Sequence, residues 1–229
     1  MKKILLCGII FGATLIGQSI LAYDLSGNVS ANLKASYSLL SMSDYNDFAK
    51  LNKIQEINTA FNLSGDLLFN TTRDFAVALR GEYITGIPSG KNTDYTVSLI
   101  LTPLLLGAVY RSTLTEDLSI VSSIYMGYAW GTWEYKKNTD TAALIATGGC
   151  FTGEGDINVL WRTPFEERLS AGISAGLRYS NVLAMKHTSY FENEASTPIT
   201  GGNVITASGK DLNFDMSGFN FGICLIYDL

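Results

Sequence analysis

Residues 169–180 read L-S-A-G-I-S-A-G-L-R-Y-S. Leu169, Ala171, Ile173, Ala175, Leu177 and Tyr179 alternate with Ser170, Gly172, Ser174, Gly176, Arg178 and Ser180. Side chains alternate faces along an extended chain, so this period of two predicts a strand with one apolar face and one small, polar face. The pattern recurs along the chain. It runs over 25–39, 57–69 (Ile57, Thr59 and Phe61 leading the apolar face), 75–83, 118–135, about 147–162 and 219–229. Residues 95–111 form a further strand, apolar on both faces. There the apolar phase shifts from Leu99 and Leu101 to Leu104 and Leu106, which predicts a β-bulge at Pro103, a residue with no ladder donor. The count is eight strands, and no linker or composition shift divides them.

The connections alternate in length. N-T-T-R-D (70–74), S-T-L-T-E-D (112–117) and T-P-F-E-E-R (163–168) are short, whereas 40–55, 86–94, 136–146 and 181–212 are long. Short turns at one end and long loops at the other, over an even number of strands, predict an all-β fold. The expected architecture is an eight-stranded antiparallel up-and-down transmembrane β-barrel, with both termini at the short-turn end.

The direction of the apolar face decides between a membrane barrel and a soluble one. The polar faces are rich in Ser, Gly, Asn and Ala, whereas a water-facing wall would carry more Lys and Glu. Small polar residues suit the interior of an eight-stranded barrel, which side chains fill. The few charges on those faces also balance at mid-height: Lys34, Arg80 and Arg178 lie level with Glu82, Glu154 and Asp156. Buried charges are tolerable when paired, so these six are expected to form an ion-pair network that plugs the lumen, with Tyr125 and Trp133 also pointing inward. A lipocalin-like soluble barrel, apolar face inward, would need a charged exterior; here charges concentrate in turns and loops. Outward aromatics form two bands: Phe69, Phe75, Tyr110, Trp161 and Tyr227 near the short turns, and Tyr37, Tyr83, Tyr95, Trp130 and Phe151 toward the long loops. Such girdles mark the two lipid interfaces.

The chain opens M-K-K-I-L-L-C-G-I-I-F-G-A-T-L-I-G-Q-S-I-L-A. Basic Lys2 and Lys3, an apolar run and small residues before Ala22 give the layout of a secretory signal peptide, 1–22, leaving 23–229 as the barrel. Beyond it no apolar run reaches the roughly 20 residues a membrane helix needs; the longest, around Leu99–Val109, is interrupted by Pro103. The formal net charge is −5. No basic cluster of the kind that tracks nucleic acid is present. Cys150 and Cys224 sit toward opposite ends of their strands, too far apart for a disulfide, and are expected to be free thiols.

Three stretches carry a resemblance: the terminal S-G-F-N-F-G-I-C-L-I-Y-D-L, the Tyr95–Arg111 strand with T-P-L-L-L-G, and Y-M-G-Y-A-W-G-T-W-E-Y. In these the chain resembles small outer-membrane barrel proteins of Gram-negative bacteria, of the OmpA, OmpX and OmpW type. The resemblance implies a monomeric cell-outer-membrane protein in contact with outer-membrane lipid. It implies that Phe221, Ile223, Leu225, Tyr227 and Leu229 form the C-terminal signal read by the outer-membrane assembly machinery. That signal usually ends in Phe or Trp; here Leu229 is last.

No nucleotide loop, metal-spaced Cys/His set or nucleophile elbow is present, so no cofactor, metal or catalytic residues are expected. His187, Ser189 and Glu192 or Glu194 resemble the trio of the lipid A deacylase barrels, but they lie past the strand in a loop, without the wider motif. The expected role is structural or surface-interacting, with loop 181–212 as the contact surface for an extracellular ligand. A narrow pore for ions or small solutes is the alternative that an OmpW-like lumen would allow.

Overall fold

The computed structural model describes residues 29–90, 95–137, 144–189, 202–205 and 209–229. The proposed leader 1–22, Glu192 and Glu194 lie outside these residues. Seven long strands come first: β1 (Val29–Leu40), β2 (Glu56–Asn70), β3 (Phe75–Ser89), β4 (Tyr95–Thr113), β5 (Leu118–Lys137), β6 (Leu144–Arg162) and β7 (Leu169–Val182). Two short strands follow, β8 (Lys186–Ser189) and β9 (Phe214–Asp215), and then the last long one, β10 (Gly218–Asp228). One helix, α1 (Ser43–Leu51), lies between β1 and β2.

Each long strand pairs antiparallel with the next, β7 pairs with β10, and β10 returns to β1 from Ser30↔Asp228 to Leu40↔Gly218. The sheet is therefore closed: eight antiparallel strands with no free edge around the ring, the condition for a sheet to span hydrocarbon. The apolar faces point out. Leu33, Leu63, Leu106, Ile124, Met126, Ile173, Leu177 and Ile223 are all exposed. Opposite them, Ser30, Asn32, Ser36, Asn62, Ser64, Asn158 and Asn220 are buried inside. No helix among the described residues is long and apolar enough to cross a membrane.

The wall is uneven in height. β1 and β10 have 12 and 11 residues, whereas β4, β5 and β6 have 19, 20 and 19. A strand needs about 9–11 residues to cross a bilayer. The long half of β4–β6 thus rises well beyond the others on the side of the long connections. β8 lies against the upper end of β6, through Ile145, Ala146 and Thr147.

The fourth strand has no bulge at Pro103. Its register against β5 is continuous through Thr102↔Trp130, Pro103↔Ala129 and Leu104↔Tyr128, and on the β3 side Gly81↔Leu104 and Ile84↔Leu101 keep one register. The two apolar phases have a different cause. Leu104 and Leu106 face out, while Val97, Leu99 and Leu101 are buried inside. The bulge instead falls in β2, where Ile57 pairs with Pro88 and Thr59 with Ile87, leaving Asn58 extra. That slip turns Ile57 inward, off the outer face its spacing predicts. α1 secures the bulge. The Ile57 N–H donates to Asn46 Oδ1 (2.8 Å), and Asn46 Nδ2 donates to the Ile57 carbonyl (3.1 Å), so a side-chain amide supplies the ladder bonds a neighbouring strand would have made.

The expected long connections are partly structured and turn inward. Tyr45, Asn46 and Ala49 form the buried face of α1, one turn apart on the same side. Tyr45 and Ala49 pack with Met42, Met185, Val204, Leu212 and Phe214 against Ile57, Ile84, Leu99, Leu101 and Trp133 of the wall. The upper lumen is therefore apolar, not lined with small polar residues throughout. Tyr95 belongs to this inner face too: it stacks on Tyr135 at 5.0 Å, which stacks on Trp133 at 6.1 Å, so it is not part of the outer aromatic band. A smaller apolar cluster, including Leu68, Val109, Val121, Leu160 and Ile226, lies at the short-turn end.

Candidate functional site

Between the two apolar clusters lies a layer of charge. Alternation alone puts these side chains inside: Lys34 on β1, Asp66 on β2, Arg80 and Glu82 on β3, Glu154 and Asp156 on β6, Arg178 on β7. Every one of these side chains is 2 % exposed or less where it enters an ion pair. The sheet register makes two of the pairs directly, because Asp66 stands opposite Arg80 and Glu154 opposite Arg178.

Arg80 is the hub. Its Nε and Nη2 donate to the two oxygens of Asp66 at 2.6 and 2.9 Å, a bidentate pair. Its Nη1 donates to Asp156 Oδ2 at 2.6 Å and to Glu154 Oε1 at 3.2 Å. The guanidinium carbon lies 3.7 Å from the centre of the Tyr125 ring, a cation–π stack, and the Tyr125 hydroxyl donates to Asp66 Oδ2 at 3.1 Å. Gly107, the β4 partner of Tyr125, makes room for that ring, since a methyl group there would strike it.

From the other side Lys34 Nζ donates to Glu154 Oε1 (2.7 Å) and Asp156 Oδ2 (2.8 Å). Arg178 Nη2 bridges Glu154 Oε2 (2.7 Å) and Glu82 Oε2 (2.8 Å). β3 and β7 are four strands apart in a ring of eight, so the Arg178–Glu82 pair crosses the full width of the lumen. Asn32 and Asn220 add neutral donors, to Asp66 Oδ2 (2.7 Å) and Glu154 Oε1 (3.2 Å).

All six residues that the sequence places at mid-height, Lys34, Arg80, Glu82, Glu154, Asp156 and Arg178, thus meet in one cluster. Asp66 is a seventh member that the sequence-derived set of three opposite pairs leaves out. Counting back from the N-T-T-R-D turn pairs it with Arg80, so the signal was present. The buried charges among the described residues are therefore four carboxylates against three cations.

The other candidates lie elsewhere. Phe221, Ile223, Leu225, Tyr227 and Leu229 form an exposed outer stripe on and just past β10. His187 sits on β8, paired with Ala146, its N–H donating to the Gly202 carbonyl at 2.9 Å. Burial holds its imidazole pKa below the ordinary value. The described residues include no group of three or more His, Cys, Asp or Glu placed to hold a metal ion. Cys150 and Cys224 are free and buried.

No protein-family profile matches the sequence, and no curated protein matches it. Solved structures do. The outer membrane protease OmpT from Escherichia coli superposes with a TM-score of 0.50 at 7% identity, over 91% of this chain and 99% of that one. The outer membrane protein OprG from Pseudomonas aeruginosa gives 0.49 at 9% identity, over 89% and 96%. Ail, the attachment invasion locus protein of Yersinia pestis, gives 0.45 at 12% identity, over 89% and 99%. At such identities a likeness is one of fold. With its closed ring, apolar exterior and charged interior, the chain has the fold of an eight-stranded antiparallel β-barrel with its apolar face outward, similar to that of the outer-membrane barrels it superposes on.

Proposed function

We propose that this barrel is a closed one, anchoring a surface structure in the outer membrane rather than conducting solutes. The observation that carries this reading is the filling of the lumen at two successive levels. At mid-height the Lys34–Asp66–Arg80–Glu82–Glu154–Asp156–Arg178 cluster spans the ring. Above it, α1 and Phe214 pack on Trp133 and Leu99, with the Trp133 and Phe214 ring centres 5.8 Å apart. An ion entering from outside would have to part an apolar layer and then an ionic one. What remains for the solvent is the raised wall of β4–β6 and, in the connection after β8, exposed residues such as Ile205 and Asp211. That surface is the contact face for an extracellular ligand.

Planar-bilayer recording tests the closed lumen. The expected result is a silent membrane with the intact protein; stable single-channel steps would overturn it and establish the narrow pore instead.

The reading assigns no catalytic step to His187, Ser189, Glu192 or Glu194. Lipid A extracted from cells expressing the protein is expected to match that from cells without it, and loss of an acyl chain would establish a deacylase. Residues 1–22 serve as an export leader in this account. The outward stripe Phe221, Ile223, Leu225, Tyr227 and Leu229 serves as the assembly signal, and the barrel works as a monomer.

A further inference from the structure

Gly176 lies on the inner face of β7, with Asp156 of β6 and Asn220 of β10 as its register partners on either side. A methyl group at Gly176 would fall within 2.7 Å of three oxygens: Asp156 Oδ1, Asn220 Oδ1 and the Gly155 carbonyl. Asp156 and Asn220 are 3 % and 0 % exposed, and neither Oδ1 accepts a hydrogen bond from the protein. Both groups are fixed from their other ends. Asn220 Nδ2 donates to Glu154 Oε1, so turning the amide over would set its carbonyl against a carboxylate. Asp156 Oδ2 already takes Lys34 Nζ and Arg80 Nη1. Two buried acceptor oxygens thus converge with no protein donor between them, an arrangement that costs free energy unless something positive or protic joins them.

The charge count calls for a single positive charge. Four buried carboxylates face three buried cations, a surplus of one negative charge. Arg80 holds Asp66 in a bidentate pair, and Arg178 bridges Glu82 and Glu154. The second oxygen of Glu82 still lies 3.7 Å from Arg80 Nη1. Asp156 Oδ1 is the carboxylate oxygen in the layer with no cation on it.

We propose that Asp156 Oδ1, Asn220 Oδ1 and the Gly155 carbonyl hold a monovalent alkali cation in the cradle left by the missing side chain of Gly176. Oxygen ligands suit a hard cation. A single positive charge brings the layer to neutrality, and a divalent ion would overshoot. One step toward the short turns, the facing pair Asn158 and Ser174 adds two more buried oxygens without protein partners, Asn158 Oδ1 and Ser174 Oγ, which border the site. The inference goes beyond the closed-lumen reading and holds whether or not the lumen conducts.

The test is the urea midpoint of the full barrel refolded in detergent micelles, with sodium chloride exchanged for N-methylglucamine chloride at fixed ionic strength. A ligand that binds only the folded state raises the folded-to-unfolded ratio by about 100-fold at 100 times its dissociation constant. The midpoint is therefore expected to stay flat below the dissociation constant and then to climb with the logarithm of the sodium concentration. Asp156→Asn removes the surplus charge and is expected to abolish the dependence on sodium, whatever it does to absolute stability. Asp228→Asn, in the half-exposed Arg111 pair at the short-turn rim, is expected to retain it. Crystals grown in thallium(I) chloride should show an anomalous peak over Gly176, a readout that needs no variant. Equal midpoints in the two salts, an unchanged sodium dependence in Asp156→Asn, or no peak at Gly176 would each overturn the proposal.

Discussion

Arg80 gives every one of its polar nitrogens to a carboxylate, and the ring of Tyr125 covers its face. Taking two charges out of water costs more than most pairs return, so such a layer specifies an arrangement more than it adds stability. Removing one partner is another matter, because the others stay buried and unpaired. Arg80→Ala is therefore expected to cost about 3–5 kcal/mol, read as a shift of the urea midpoint in micelles. Arg111→Ala, at a half-exposed pair, should cost less than about 1 kcal/mol. At this scale the sequence was legible where alternation and turn length fix both face and height, as for Lys34, Glu154 and Arg178. It was less legible at Asp66, whose place depends on counting back through a hairpin to Arg80, and at Tyr95, whose inward stack on Tyr135 depends on where β5 ends.

At the scale of elements, the strands follow from a period of two, but the helix does not. α1 spans nine residues, too few for a stable helix alone. It is held by what it enters: Tyr45 and Ala49 in the apolar layer, and Asn46 on the bulge of β2. No periodicity in 40–55 announces that, because the partners, Phe214 and Met185, are far away in sequence. The same holds for the bulge, which falls at Asn58 where α1 can satisfy it, not at Pro103, where β5 keeps its register. Burial pushes the Tyr45 phenol above its ordinary pKa, and its hydroxyl donates to the Gln55 carbonyl at 2.9 Å. The folded state thus keeps it neutral while the unfolded chain ionises near pH 10. Its contribution is intact below that pH and is lost as the pH rises above it. Tyr45→Phe is expected to cost about 0.5–1.5 kcal/mol at neutral pH and to flatten the alkaline fall in stability, measured by unfolding between about pH 8 and pH 11.

For the whole molecule, the deciding quantity is the orientation of the wall. Leu177 is 55 % exposed on the outer face, one position from the buried Arg178. Leu177→Arg is expected to cost about 2–4 kcal/mol near the bilayer midplane, measured by reversible folding into vesicles. Closure, strand number and orientation were all readable from eight alternating segments and the short–long rhythm of their connections. The apolar upper lumen was not, because Leu99 and Leu101 look the same whether they meet lipid or an inserted loop.

The order in which the charged layer can be built has a consequence for biogenesis. Asp66 and Arg80 belong to one hairpin and can neutralise each other as soon as β2 and β3 meet. Glu154 and Arg178 do the same once β6 and β7 meet, but Lys34 must wait for Glu154 and Asp156, more than a hundred residues downstream, and Asp156 must wait for Lys34 and Arg80. Until the seam between first and last strands shuts, a half-made cylinder would carry naked ions on its concave side. Such a species can persist in water or under a chaperone but not in acyl chains, so this chain must complete its circle before or while it enters the bilayer.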